Sequence, residues 1–135
     1  MTRRNIRENV IKLLFLSDFH DANEIDEQKE LYFQLFFDPQ SLTEEDKNEI
    51  ISRYDRVCSK LGEIETIINS AAQGWRLERI GRIELSILRL AVYEIIYDEE
   101  IPGQVAVNEA VEISKAYCNE FSYSFVNGVL AKIIK

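Results

Sequence analysis

The sequence predicts an all-α fold, a compact bundle of about seven helices. Three observations predict it: apolar residues recur at helical spacing along most of the chain, no segment alternates as a strand does, and only 5 Gly and 2 Pro interrupt 135 residues. Hydrophobic residues make up 46% and charged residues 30%, which is typical of a globular protein. The length fits one domain or two small packed lobes.

The first half of the chain is predicted to form three helices. Apolar positions of the first share one face: Ile6, Val10, Leu13 and Leu14. A second helix, which contains Leu31 and Leu35, stops before Pro39. Thr43 starts a third helix, whose apolar residues alternate steps of four and three from Ile50 to Ala71. This seam predicts one long helix over about residues 44–71, despite Gly62.

The second half of the chain, which follows Gly74, is predicted to form three or four more helices. The first has a wide apolar face between Ile80 and Ile95 and ends at the loop that contains Pro102 and Gly103. Val107 to Ser114 mark the next helix. The last helix follows Phe121, with Ser122 as its N-cap. Gly128 lies inside this helix, and we expect another backbone to approach it closely.

The composition excludes several classes of site. The single histidine, His20, and two distant cysteines, Cys58 and Cys118, cannot supply the ligands of a zinc site, so no metal or cofactor is expected. No phosphate-binding glycine loop and no nucleophile motif occurs, so no catalytic residue is assigned and an enzyme is not expected. Two cysteines, no secretory leader and no long apolar run indicate a cytoplasmic protein without a membrane span.

Charge is distributed unevenly along the chain. The formal net charge is −8, which excludes a uniformly basic nucleic-acid binder. Residues 1–17 nevertheless carry a net charge of +3 and residues 66–90 carry +2. The acidic remainder repels polyanions, so contact with a nucleic acid should be local and oriented.

The first basic island contains Arg3, Arg4 and Arg7 at the start of the first helix. Arg3 and Arg7 project about 40° apart on a helix, so their guanidinium groups form a cluster that suits phosphates. Cations at a helix N-terminus oppose the helix dipole, which disfavours a purely structural role. The alternative is a solvated basic tail.

A second basic stripe, Arg79, Arg82 and Arg89, lies within about 80° of arc on a helix. It is either a binding surface or a solvated face whose cations pair with acidic segments. Phe125 lies at the edge of the last helix's apolar face, where it either stacks on an unpaired base or closes the bundle.

The second half of the chain resembles the NusB family of bacterial transcription antitermination factors. The resemblance is carried by WRLER at 75–79, ELSILRLAVYEI at 84–95, IPGQVAVNEAVEISKAY at 101–117 and FVNGVLAKI at 125–133. The segment RRNIRENVIKLLF at 3–15 is similar to the Arg-rich first helix of the family.

The resemblance implies two three-helix subdomains, here residues 1–72 and 73–135. It implies binding of single-stranded boxA RNA from ribosomal RNA leaders, a heterodimer with the ribosomal protein NusE, and action in an antitermination complex on RNA polymerase. It also leaves a homodimer open.

Family site residues map onto matching positions of this chain. The RNA contacts correspond to Arg3, Arg4, Arg7, Phe125 and Asn127, and the NusE contacts to Phe15 and Glu84. The chain departs from the family pattern at Phe121, where an acidic residue is common, and at Ser124, where a basic one is common. Phe15 also stands where Tyr is frequent. The RNA surface near the last helix should therefore depend more on stacking than on charge.

Two other functions fit the same residues. Similar helical domains precede the catalytic domain of some RNA cytosine methyltransferases, and a purely protein-binding helical scaffold would also be acidic and helical. An antitermination factor and an RNA-binding domain of a methyltransferase would both bind RNA through the arginine cluster. A protein-binding scaffold would not, so RNA binding distinguishes it from the other two.

Overall fold

A computed structural model of the chain describes residues 1–36, 42–75 and 80–134. Within these ranges the structure contains seven α-helices and no strand, which confirms the predicted all-α fold. The helices are α1 Arg3–Ser17, α2 Ile25–Phe36, α3 Glu44–Ser59, α4 Leu61–Ala71, α5 Arg82–Tyr97, α6 Gly103–Tyr117 and α7 Glu120–Ile133.

The chain divides into two compact units, Met1–Arg56 and Val57–Lys135, with the boundary inside α3. Helix α4 packs against α5 and α7 and thereby belongs to the second unit. The division at residue 72 refers to the subdomains that the family resemblance implies, and it stays a prediction.

The first unit is built on the apolar face of α1 that the sequence predicts. Thr2 caps α1, since its Oγ1 accepts a hydrogen bond from the Asn5 backbone N–H at 3.0 Å. Helix α1 packs against α2. The Tyr32 hydroxyl on α2 donates a hydrogen bond to Asn9 Oδ1 on α1, in the buried interior. The apolar residues buried in α1 to α3 of this unit include Val10, Leu13, Leu14, Phe33, Ile50 and Tyr54.

The prediction of one continuous helix over residues 44–71 is wrong, because the structure has two helices there, separated at Lys60. Lys60 has φ −117° and ψ 14°, outside the helical region, and its N–H donates to the Val57 carbonyl oxygen three residues back. Gly62 follows in the first turn of α4, where glycine costs about 1 kcal/mol relative to alanine. The predicted apolar seam also contains Leu61, which is only half-buried beside the break. Its other members are buried on both sides of the break: Ile50, Tyr54, Val57, Ile64, Ile68 and Ala71.

The second unit is built around α5, which packs against α4, α6 and α7. Gly81 is the N-cap of α5, and its backbone N–H donates to the Glu84 carboxylate in the manner of a capping box. The predicted N-cap of α7, Ser122, is wrong. Asn119 fills that position, and its Oδ1 accepts the Ser122 N–H at 2.9 Å. The capping side chain therefore lies three residues before the residue whose amide it satisfies.

None of the helices in the described ranges has both the length and the apolar character that crossing a membrane requires.

Candidate nucleic-acid interface

The start of α1 presents two exposed guanidinium side chains, those of Arg3 and Arg4. The Thr2 cap fixes where the helix begins, and no acidic residue lies in its first turn. Arg3 and Arg4 are therefore held at a helix N-terminus, where unpaired backbone N–H groups and cations both favour a phosphate. This surface matches the predicted basic island in position and charge.

Arg7 differs from the other two arginines because its side chain is only 5% exposed. It lies one turn further along α1, where the helix turns residues toward the buried side. The exposed cluster that the sequence predicts therefore consists of Arg3 and Arg4, with Arg7 beneath it. A phosphate contact from Arg7 itself stays a prediction, and the burial of its side chain favours a packing role.

Helix α7 carries the second predicted RNA surface. Asn127 is exposed, as an RNA contact requires, while Phe125 is fully buried. The ring centroid of Phe125 lies 5.2 Å from that of Trp75, with the rings near perpendicular. The expectation that Phe125 lies at the edge of the apolar face is therefore wrong, and the structure favours the alternative in which this ring closes the bundle. Phe125 and Val126 are consecutive in the sequence, and both side chains are buried.

Gly128 in α7 is approached by a side chain, where the sequence led us to expect a backbone. A Cβ at this position would lie 2.9 Å from Cζ2 of Trp75. Trp75 also contacts Phe121, with ring centroids 6.0 Å apart. An aromatic residue from the segment after α4 therefore covers the start of α7. Sequence analysis missed this contact because Trp75 and Gly128 are distant in the chain.

The second basic stripe is partly accounted for by internal pairing. Arg89 Nε donates to Glu65 Oε1 at 2.7 Å, and its side chain is 11% exposed. This ion pair between α5 and α4 favours the structural alternative for Arg89. Arg82 is exposed at the first residue of α5, and Arg79 lies outside the described residues.

The residues predicted to contact a partner protein lie in different settings. Phe15 is half-buried, and its ring packs against that of Phe19, a residue that is 57% exposed. Glu84 is buried, and its carboxylate accepts hydrogen bonds from the Gly81 N–H and from Cys118 Sγ at 3.1 Å. Glu84 therefore has a structural role, joining the start of α5 to the residue after α6. Its contact with a partner stays a prediction.

The thiol of Cys118 is shaped by this arrangement. Burial, the hydrogen bond to Glu84 and the negative charge of that carboxylate raise the pKa of Cys118 from 9.0 to about 12. Cys118 is therefore a protonated donor at neutral pH. It is not an activated nucleophile, because nucleophilic cysteines require a lowered pKa.

An apolar groove of about 630 Å³ lies between α1 and α2 in the first unit. Its lining includes Phe15, Leu16, Leu31, Tyr32 and Leu35. Leu31 and Leu35 are one helical turn apart, and Leu35 is 68% exposed. The sequence placed both leucines on the apolar face of α2, but spacing alone does not show that they remain uncovered.

The fold and these surfaces define an all-helical protein that has a small basic surface on an acidic body. The model of the NusB family matches residues 4–135, and the chain belongs to that family. It is 46% identical over 134 residues to the transcription antitermination protein NusB of Lachnoclostridium phytofermentans, with 99% of each chain covered. It is 36% identical to the protein of the same name from Enterococcus faecalis, covering 100% of this chain and 90% of that relative.

Solved structures agree with this membership. A structure described as T. maritima NusB superposes with a TM-score of 0.78 at 31% identity, covering 98% of this chain and 90% of the other. A structure described as the antitermination factors NusB and NusE in complex with dsRNA superposes with a TM-score of 0.76 at 24% identity. It covers 97% of this chain and 94% of the other, and at that identity it supports the fold alone.

Proposed function

We propose that this protein is a non-catalytic transcription antitermination factor of the cytoplasm. In this proposal it binds boxA RNA of ribosomal RNA leaders together with the ribosomal protein NusE, and the complex acts on RNA polymerase. Membership in the NusB family supports this, because the curated relatives bear the name transcription antitermination protein. The observation that carries RNA binding is the exposed pair Arg3 and Arg4 on a chain of net charge −8.

The arginine pair supplies the phosphate contacts. Guanidinium groups donate in a fixed fork that matches phosphate oxygens, and the start of α1 adds its own positive potential. The acidic remainder of the chain repels the strand from other surfaces. Arg7 supports this pair from its buried position. RNA affinity should therefore depend on few phosphates and be modest for the protein alone.

The surface of α7 supplies contacts to bases. The exposed amide of Asn127 offers both a donor and an acceptor to the edge of an unpaired base. Phe125 contributes from beneath, because its buried ring holds α7 against the rest of its unit.

The partner protein binds at the groove between α1 and α2, where Phe15 lies. An uncovered apolar groove with exposed leucine and phenylalanine beside it is typical of a protein-binding surface. A partner contact at Glu84, in the second unit, is a separate part of this proposal, and it has to form beside the hydrogen bond that the Glu84 carboxylate already accepts from Cys118. Bound NusE extends the RNA surface, so RNA affinity should rise when it is present.

RNA binding is tested with the double variant Arg3→Glu/Arg4→Glu in a filter-binding assay. We expect at least a tenfold weaker affinity for boxA RNA near 0.1 M salt. The slope of log affinity against log salt should flatten by about 1.4, since about 0.7 counterions are released for each phosphate of a single strand. Scrambled RNA of equal length and added NusE measure sequence preference and the partner's contribution.

The matched control is Arg53→Glu/Arg56→Glu on α3, which changes the net charge equally. It should retain RNA affinity within about threefold, the difference that a general change in net charge would produce. If both double variants lost RNA affinity equally, the loss would be due to the change in net charge and not to contacts at Arg3 and Arg4. Unchanged RNA affinity of Arg3→Glu/Arg4→Glu, with the helical circular dichroism intact, would favour the protein-binding scaffold.

Partner binding is tested with Leu35→Asp, which alters an exposed side chain of the groove. We expect NusE binding to weaken at least tenfold by calorimetry, while RNA binding by the protein alone is retained. The control is Ile96→Asp, a change at another exposed apolar side chain outside the groove. NusE binding equal to that of the unaltered protein would exclude the groove as the partner surface.

A further inference from the structure

In the second unit, the position of Trp75 is set by the turn that precedes it and by its contact with α7. It follows Gly74, whose φ of +94° is favourable for glycine, so the chain turns sharply there. The backbone N–H of Trp75 donates to the Ala72 carbonyl oxygen at 3.1 Å, which holds the turn at the end of α4. The indole ring then meets α7 at Gly128, the position where a Cβ would lie too close to it.

Two phenylalanines fix the orientation of this indole. The rings of Phe121 and Phe125 lie 6.0 Å and 5.2 Å from it, at 72° and 81°, as aromatic edge-to-face pairs prefer. Phe125 is fully buried, whereas Trp75 and Phe121 are half-buried. The indole is therefore held against Phe125 in the core, while Trp75 as a whole stays partly accessible to solvent.

The exposed surface of α7 beside this ring has little positive charge. Glu120 is exposed in the first turn of α7, and Lys132 in its last turn is the helix's one basic residue. Ser124 and Asn127 are exposed, neutral and polar. Ser124 and Asn127 would therefore contact RNA through hydrogen bonds, and not through ion pairs with phosphates.

We propose that the half-buried indole of Trp75 is a stacking platform for one unpaired RNA base, held in place by Phe121, Phe125 and Gly128. This rests on the proposed RNA-binding function and adds a residue to its site. An aromatic ring of restricted orientation loses little conformational entropy when a base stacks on it. Asn127 precedes Gly128 in α7, and its exposed amide offers hydrogen bonds to the edge of a base.

The protein contains one tryptophan, so its fluorescence reports on Trp75 alone. The experiment titrates the unaltered protein with a boxA-like single strand and with a strand of equal length whose nucleotides at the tested position and its neighbours are stable abasic sugars. Both strands carry the same phosphates. We expect the intact strand to quench Trp75 fluorescence with the dissociation constant seen by filter binding. The abasic strand should bind about tenfold more weakly and leave the fluorescence unchanged.

Substitutions separate stacking from a structural role. Trp75→Phe keeps an aromatic face and should retain RNA affinity within about threefold, whereas Trp75→Leu should lose about tenfold while the salt slope stays unchanged. Both variants are compared at equal folded fraction by circular dichroism. A salt slope that changes with Trp75→Leu would contradict stacking.

Failure of this inference is distinguishable from failure of the proposed function. Full-affinity RNA binding without quenching, in equal measure for intact and abasic strands, would overturn the role of Trp75 and leave RNA binding standing. No binding of any RNA by filter assay, with or without NusE, would overturn the proposed function and this inference with it. Because the fluorescence titration uses the unaltered protein, the test does not depend on a variant that folds.

Discussion

Trp75 fills the space that a side chain at position 128 would need, since its Cζ2 lies 2.9 Å from the place of a Cβ on Gly128. This close approach explains a glycine inside a helix, where it otherwise costs about 1 kcal/mol relative to alanine. The packing of Trp75 in the second unit therefore requires that residue 128 has no side chain.

Gly128→Ala should destabilise the protein by about 1 kcal/mol net, because overpacking costs about 1–3 kcal/mol and the gain in helix propensity returns only part of it. Urea unfolding monitored by circular dichroism measures the change. The matched control is Gly62→Ala on α4, where nothing lies within 4 Å of the added Cβ. That variant should gain up to about 1 kcal/mol. A stabilising Gly128→Ala would show that the Trp75 ring moves aside freely.

Tyr32→Phe should lower the free energy of unfolding by about 1–2 kcal/mol. The hydroxyl of Tyr32 donates to Asn9 Oδ1 in a buried position, so its removal leaves that oxygen without this donor. A double-mutant cycle with Asn9→Ala isolates the pair. In the Asn9→Ala background the tyrosine substitution should cost less than half as much. Equal costs in both backgrounds would mean that the hydrogen bond does not stabilise the first unit.

Arg3→Ala and Arg7→Ala should differ in which property they change. Arg7 is 5% exposed, so Arg7→Ala should lower the free energy of unfolding by about 1–3 kcal/mol through lost packing of its aliphatic stem and lost polar contacts. Arg3→Ala, at an exposed position, should change stability by less than about 0.5 kcal/mol and weaken RNA binding. Thermal melts and filter binding on the two variants test this contrast. The reverse pattern would place the phosphate contact at Arg7.

Cys118 should react slowly with iodoacetamide in the native protein at pH 8. Burial and Glu84 raise its pKa to about 12, so the thiolate is scarce, whereas the unfolded chain has an ordinary thiol. Mass spectrometry of timed samples measures the modification. Glu84→Gln removes the negative charge, should lower the pKa of Cys118, and should therefore accelerate the reaction. Equal rates in native and urea-unfolded protein would contradict the raised pKa.

The same pKa predicts a dependence of stability on pH. Because the pKa of the native thiol is raised, its contribution is fully present below about pH 9 and is lost as the pH rises toward 12. The difference in unfolding free energy between the unaltered protein and Cys118→Ala should therefore shrink over that interval. A difference that stays constant from pH 8 to pH 11 would show that the thiol titrates alike in both states.

The helical faces follow from the sequence because burial repeats with the helix period. The seam from Ile50 to Ala71 is buried as predicted except at Leu61, which is half-buried beside the break. Thr43 Oγ1 accepts the Asp46 N–H at 3.0 Å, as its position before the helix requires. Such features depend on residues within one or two turns of each other. Local spacing is sufficient to specify them.

The sequence predictions that proved wrong involve contacts between residues far apart in the chain, or local signals that compete with each other. The break at Lys60 leaves the apolar period intact, so periodicity cannot reveal it. Burial of Phe125 depends on Trp75, which is 50 positions away in the chain. Asn119 outcompetes Ser122 as the cap of α7, although both residue types favour that position. Arg3, Arg4 and Asn127 are exposed, as RNA contacts require, and their contacts with RNA stay predictions.

The carboxylate of Glu84 serves two helices at once, through the Gly81 amide and the Cys118 thiol. In a related chain, an apolar residue at position 84 would leave the amide of residue 81 and the thiol of residue 118 without this acceptor. An acidic residue at position 118 beside a glutamate at position 84 would place two carboxylates next to each other, where they repel. Evolutionary drift at these two positions should accordingly be correlated among related chains, although 34 residues separate them.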